Sequence, residues 1–278
     1  MVYGDGDEFL NNFTGCIDVI GHELTHAVTE HTSPLDYSGQ SGALNEHVSD
    51  VFGIMIKQQV QDEKANVADW LIGEDCILPG VKGVALRSMK APGTAYDDPR
   101  FGTDPQPDHM KDYEVMVEDN GGVHIYSGIP NKAFYLASVA FGGYSWEKAG
   151  KIWWETMRSG KIAPKCQFKH FADITAETAE ELFDKKAAKI VRKAWTDVGV
   201  TGDNGRLDPR DIKVDESDSL LVITLNDWQL AIPYSLTTQH WVASENAGRA
   251  SAMELILEFF APTRKRLTPM AFFVLILL

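Results

Sequence analysis

The chain has 278 residues, 44% of them apolar, enough for one large domain or two smaller ones, each with its own core. Its formal charge is −14, from 26 basic and 40 acidic residues. A surface this acidic argues against phosphate-backbone binding as the main role, because nothing would neutralise the phosphates; it suits a secreted enzyme or a cation binder, and equally plain solubility. In chain order, the polar, Gly-containing stretch Met1–Asp7 does not read as a signal peptide. Residues Phe13 to Glu30 read as a helix, with Thr14 as N-cap and Pro34 just beyond the end. A turn around Ser38, Gly39, Ser41 and Gly42 leads to a second helix over Ala43 to Gln59. Residues 79–109 are rich in Pro, Gly and Asp and read as a long loop, a feature that is usually functional inside a compact domain.

The remainder of the first 200 residues reads as helical. One helix covers Pro130 to Ala140 and stops at Gly142-Gly143; Ser145 caps another reaching Ser159; two more cover roughly 167–182 and 184–198. Thr201 to Asp211 has the character of a linker, and residues 212–243 alternate like strands, as in Leu220-Leu221-Val222-Ile223-Thr224-Leu225. The fold class expected is α+β, mainly α. Its parts are 1–125 with the first helix pair and long loops, a helical domain over 126–200, and a small β-containing extension over 201–278 to which no function is assigned. The nine-residue apolar tail Met270–Leu278 is too short to span a bilayer, so no membrane association is expected. Cys16, Cys76 and Cys166 are odd in number and form no CxxC pair, which argues against a disulfide framework and leaves one bridge open.

The strongest chemical signal is His22-Glu23-Leu24-Thr25-His26. Histidines four apart lie on one face of a helix, so both imidazoles reach a single ion about 2.0–2.1 Å from each nitrogen. Glu23 is badly placed to ligate but well placed to touch a water activated by that ion. Such a short pattern also arises by chance on surface helices, so its context matters. A catalytic zinc wants a third protein ligand and an open position, and Glu46 on the next helix supplies the ligand. Asp50 follows one turn later on the same face and is suited to hold the far nitrogen of a ligating histidine, with Asn45 in support; the alternative is a solvated acidic face. His47 is a rival ligand, but it points about 100° away from Glu46 on a helix, behind the ligands or at the surface.

Gly21-His22-Glu23-Leu24-Thr25-His26-Ala27-Val28-Thr29 and Ser41-Gly42-Ala43-Leu44-Asn45-Glu46 resemble the two signatures of the thermolysin family of zinc peptidases, a standing example of a His₂Glu zinc site. Ala85-Leu86-Arg87-Ser88-Met89, Asp119-Asn120-Gly121-Gly122-Val123-His124 and Asn131-Lys132-Ala133-Phe134-Tyr135 extend the resemblance over about residues 1–200, in order. The segment Ala91-Pro92-Gly93-Thr94-Ala95-Tyr96 looks most like the protealysin branch.

The resemblance implies a zincin-type helix pair holding one zinc ion through His22, His26 and Glu46, and an endopeptidase acting on peptides or proteins with Glu23 as general base. It implies that His124 and Tyr37 stabilise the oxyanion and that Asp119 orients His124. Arg87 would bind a substrate carbonyl, where its plain alternative is a surface salt bridge. Phe13, Val19, Ile72 and Leu86 would line the pocket that receives a bulky apolar residue after the cut. A monomer is implied, secreted by resemblance, with the cytoplasm open because no signal peptide is read. The competing expectations are a folded zinc-binding protein without turnover and, from another class, an interaction module built on residues 205–278.

Three departures stand out. Family members carry a β-rich domain whose edge strand pairs with substrate, and only Met1-Val2-Tyr3-Gly4-Asp5-Gly6 corresponds to it here. The family's double calcium site is expected to be absent, because Lys57 and Leu71 stand at two of its acidic positions while Asp18, Asp69 and Glu74 remain. Tyr126 stands where the family usually has Asn.

Overall fold

The computed structural model describes residues 4–201 and, beyond them, strands at 212–216, 220–225, 228–233 and 242–243. Two compact units result, Met1–Gly202 and Asp203–Leu278. The boundary expected near residue 125 falls inside the first. In the second, the strands Ile212–Glu216, Leu220–Leu225, Trp228–Pro233 and Val242–Ala243 form an antiparallel sheet in that order, in line with the alternation read from the sequence. Most of the linker read over Thr201 to Asp211, the tail Met270–Leu278 and Met1–Tyr3 lie outside the described residues.

The first unit is built on two antiparallel helices, α1 (Ile17–Thr32) and α2 (Gly39–Gln61). Phe13–Gly15 is a separate 3-10 turn, so α1 begins later than expected and Thr14 is not its cap. Asn12 Oδ1 accepts from the Thr14 amide at 2.8 Å, and that local bond closes the turn before α1 starts at Ile17, with Cys16 as its N-cap. α2 begins earlier than expected. Ser41 Oγ donates to the Asp36 and Ser38 carbonyls, so residues that read as a turn wind into the first helical turn. The helices cross closely because two glycines meet there: a Cβ on Gly53 would lie 2.4 Å from the Asp18 carbonyl oxygen, and one on Gly21 2.8 Å from Ile56 Cδ1.

The inner face of α2 (Leu44, Val48, Val51, Ile54) is buried in a core shared with α4 (Gly128–Phe141), α5 (Ala149–Arg158), α6 (Phe168–Leu182) and α7 (Lys185–Asp197). Trp153 and Trp195 stack at its centre with ring planes 11° apart, and Trp70, Phe134 and Phe171 are fully buried around them. Burying an aromatic side chain of this kind stabilises by about 1.5–3 kcal/mol, so α2 is held on its apolar side while its polar side is free to carry chemistry. Ser145 does not cap α5. Its hydroxyl donates to Gln58 Oε1 at 2.6 Å, a contact from α2 that takes the hydroxyl away from the helix end.

The loop over 79–109 is ordered by two buried carboxylates. Asp104 accepts from the amides of Gly93, Ala95 and Gln106, and Asp98 from those of Lys82 and Arg100. Each carboxylate replaces hydrogen bonds that regular structure would otherwise supply. A short antiparallel pair, β1 (Leu71–Ile72) with β2 (Arg87–Ser88), brings Arg87 to α2. Cys16 and Cys76 are joined, so one bridge exists where the sequence left it open; Cys166 is free and buried. No helix among the described residues is long and apolar enough to cross a membrane.

Candidate active site

His22 and His26 project from one face of α1 toward Glu46 on α2. His22 Nε2 lies 3.2 Å from Glu46 Oε2 and His26 Nε2 3.5 Å from Glu46 Oε1. The two Nε2 atoms are 3.2 Å apart. One donor atom from each of the three residues falls within 4.8 Å of the others. The far side of each ring is fixed: His22 Nδ1 is 2.8 Å from Asp50 Oδ1, and His26 Nδ1 is 2.9 Å from Asn45 Oδ1. Both acceptors are oxygens, so each Nδ1 carries a proton and each Nε2 faces the shared point, ready to ligate once any proton of its own is displaced.

Asp50 is fully buried and saturated. Arg87 Nη2 donates to its Oδ1 at 2.7 Å and Nε to its Oδ2 at 2.9 Å, and Asn131 Nδ2 adds 2.8 Å to Oδ2. Burial alone would raise its pKa, but Arg87 and His22 outweigh it and hold the carboxyl far below the usual range. Burial likewise opposes charge on His22, yet Asp50 outweighs it and lifts the imidazole to about 9. Burial also opposes ionisation of Glu46, and His22 outweighs it, giving about 2. The cluster therefore favours positive charge at the centre of two imidazoles and a carboxylate. A His₂Glu donor set with both tautomers pre-set fits zinc.

His124 stands opposite, on a turn that changes hand. In α3 (Glu118–Tyr126) the backbone is left-handed through Asp119, Asn120, Gly121 and Gly122, with φ between 52° and 89°, and right-handed from Val123 onward. A Cβ on Gly122 would lie 2.5 Å from the Tyr126 ring, so the last left-handed position requires glycine on two counts. Tyr126, the departure from the family's Asn, is buried beneath this turn, and its hydroxyl accepts from the Glu114 amide at 3.1 Å. Asp119 takes both the His124 ring Nδ1 (2.6 Å) and its backbone amide (2.8 Å). His124 Nε2 is left facing Tyr37, 3.2 Å from its hydroxyl. That hydroxyl donates to Glu46 Oε1, and burial together with this carboxylate pushes its pKa well above the ordinary value.

These groups frame a cleft of about 610 Å³ lined by His22, Glu23, His26, Glu30, Leu35, Tyr37, Asn45, Glu46 and His124. The apolar residues expected to receive the substrate side chain are not in its wall. Phe13, Val19 and Leu86 pack together around the Cys16–Cys76 bridge, and Ile72 is fully buried in the main core. Arg87 is held by Asp50 behind the ligands rather than standing in the open.

Two contacts escaped the sequence reading. Of the two places left open for His47, it takes the one behind the donor cluster: it is fully buried, with Nδ1 2.8 Å from Asn131 Oδ1 and Nε2 accepting from Trp153 Nε1 at 2.7 Å. Burial lowers its pKa to about 4, so it stays neutral and ties Asn131, hence Asp50, to the aromatic core. Gln106 Nε2 donates to the His124 carbonyl at 2.6 Å, which links the long loop to the turn that carries His124.

At the second departure from the family, Lys57 is buried and its ammonium lies 3.2 Å from Asp69 Oδ2, 3.1 Å from Glu74 Oε2 and 3.1 Å from the Leu71 carbonyl. Asp18 accepts instead from the amides of Val19 and Gly73.

Comparison with known proteins agrees with this geometry. The family description "Thermolysin metallopeptidase, alpha-helical domain" matches residues 33–200, and "Thermolysin metallopeptidase, catalytic domain" matches residues 1–30. Protease PrtS of Photorhabdus sp. (strain Az29) is 51% identical over 203 residues, 72% of this chain and 55% of that protein. An extracellular metalloprotease of Pectobacterium carotovorum subsp. carotovorum is 52% identical over 201 residues, 72% of this chain and 58% of its own length. Among solved structures, the precursor of protealysin, a metalloproteinase from Serratia proteamaculans, superposes with a TM-score of 0.71 at 55% identity, covering 72% of this chain and 63% of that one. The chain thus spans little more than half the length of the curated relatives it matches.

Proposed function

Because the chain belongs to the thermolysin family of metallopeptidases, we propose that it is a zinc endopeptidase cutting on the N-terminal side of bulky apolar residues. The observation that carries this reading is the convergence of His22 Nε2, His26 Nε2 and a Glu46 oxygen within 4.8 Å, with Asp50 and Asn45 locking the far side of both rings. His22, His26 and Glu46 would hold one zinc ion, which supplies Lewis acidity toward a peptide carbonyl and a water molecule. Glu23, adjacent to His22 in the cleft wall, takes the proton from the attacking water and delivers it to the leaving amine. The oxyanion that forms on the scissile carbonyl meets Nε2–H of His124, which donates from both nitrogens as the imidazolium with Nδ1–H held by Asp119, and the Tyr37 hydroxyl, whose single proton turns to it from Glu46 Oε1.

The Arg87 guanidinium commits Nε and Nη2 to Asp50, which leaves Nη1 to offer a substrate carbonyl. The Phe13, Val19 and Leu86 cluster, near the start of α1, is the surface proposed to receive the apolar side chain after the cut; such a surface rejects charge because it offers nothing to offset desolvation. Secretion is proposed from the Pectobacterium relative, which is named as extracellular. The test measures zinc content together with cut sites in a denatured protein. Zinc without any cleavage would favour a zinc-binding protein without turnover. A dominant preference for Lys or Asp after the cut would overturn the pocket assignment.

A further inference from the structure

We infer that Glu30 selects a positively charged side chain, Arg or Lys, within the three residues that precede the cut bond; this rests on the peptidase reading above. Residues 22, 26 and 30 are four apart, so they form one stripe on α1 that drifts by only about 40° per step. Glu30 therefore extends the row of metal-ligating histidines by one more turn, and it lies in the same cleft wall. Eight residues at 1.5 Å each place it about 12 Å along the helix axis from His22 and about 6 Å from His26. An extended substrate advances about 3.3 Å per residue, so from midway between the two histidines, about 9 Å away, the distance is just under about three residues of peptide.

The direction along the cleft follows from the opposite end of α1. Phe13 and Val19, proposed to receive the residue after the cut, sit at its start, and Glu30 sits near its end. The side chain meeting Glu30 therefore comes from the residues before the cut. Its charge preference follows from what surrounds Glu30. The carboxylate is exposed, and no hydrogen bond or ion pair occupies it among the described residues. No Lys or Arg lines the cleft, and Leu35 and Tyr37 flank it. The last carbonyls of α1 add the negative end of the helix dipole at the same place. A cation is thus attracted twice there, and an anion repelled twice.

The experiment uses the full zinc-loaded chain and matched peptides with Leu fixed after the cut bond and either Arg or its uncharged isostere citrulline placed first, second or third before it. Arg should be favoured over citrulline about three- to fivefold in kcat/KM at one of these positions, the scale of an exposed ion pair. The ratio should fall to one in Glu30→Gln, invert in Glu30→Lys, and shrink at about 1 M salt. The same ratio is read as Kd by titrating the peptides onto Glu23→Gln. If no peptide is cut, the peptidase reading fails, and the Kd ratio still decides the role of Glu30. An Arg preference that survives Glu30→Gln, or none at any position in the wild-type chain, overturns the inference.

Discussion

Asp50 Oδ1 sits 2.8 Å from His22 Nδ1, and the same oxygen accepts from Arg87 at 2.7 Å. One buried carboxylate thus fixes the tautomer of a proposed metal ligand and the position of a proposed substrate-binding arginine. Asp50→Asn should weaken zinc binding by about 10- to 100-fold, the usual cost of losing a carboxylate behind a ligating histidine. The same variant should raise KM, since Arg87 loses its ionic anchor. Competition with a calibrated chelator measures the first effect and steady-state kinetics the second. Zinc affinity equal to wild type would remove Asp50 from the metal centre.

Glu23→Gln should retain one equivalent of zinc and lose turnover. The amide keeps the size of the side chain but has no basicity for the proton of the attacking water. His26→Ala, by contrast, should lose tightly bound zinc. Metal analysis beside peptide cleavage separates the two. Near wild-type cleavage by Glu23→Gln would end its assignment as base, and a full equivalent of zinc in His26→Ala would misplace the site.

His124→Ala should lower kcat by about 10²- to 10³-fold with little change in KM, because its donor is proposed to meet an oxygen that bears charge only in the transition state. Asp119→Asn should act in the same direction and less severely. It weakens the hold on His124 Nδ1 without removing the imidazole. A pure KM effect in His124→Ala would reassign the residue to ground-state binding.

The convergence of His22, His26 and Glu46 was legible because its information is local. Histidines four apart share a helix face, and Glu46 and Asp50 repeat that spacing on the next helix. The start of α2 was not, because Gly39, Ser41 and Gly42 have turn composition, while the bonds from the Ser41 hydroxyl to the Asp36 and Ser38 carbonyls and from the Gly42 amide to the Ser38 carbonyl hold them in the first helical turn. The contacts that bury His47 were out of reach for a related reason. Its partners Asn131 and Trp153 lie 84 and 106 positions away, and nothing at its own position announces them. The Cys16–Cys76 pairing spans 60 residues and was equally out of reach. Spacing reports what one element presents; packing between distant elements decides what that face meets.

Lys57 yields the last prediction, that calcium does not stabilise this chain. Two calcium ions would bring four positive charges to a group of carboxylates. Here one ammonium stands among Asp69, Glu74 and the Leu71 carbonyl, and Leu71 removes one negative group from the set. Burial disfavours charge on Lys57, but Asp69 and Glu74 outweigh it and raise its pKa. The linkage has a definite sign. A lysine raised above its unfolded value of about 10.4 contributes stability throughout the neutral range and loses it only as pH climbs through the folded pKa. Asp69 and Glu74 are 36% and 47% exposed, so each pair contributes at most about 1 kcal/mol. Thermal unfolding of the zinc-loaded chain should therefore show almost no shift between chelator selective for calcium and millimolar calcium. Lys57→Glu should behave in the opposite way. It adds a carboxylate beside Asp69 and Glu74, lowers the midpoint in chelator, and regains part of the loss when calcium is added. A large calcium-dependent rise in the wild-type midpoint, abolished in Asp69→Asn, would show that these carboxylates bind the ion and that Lys57 does not replace it.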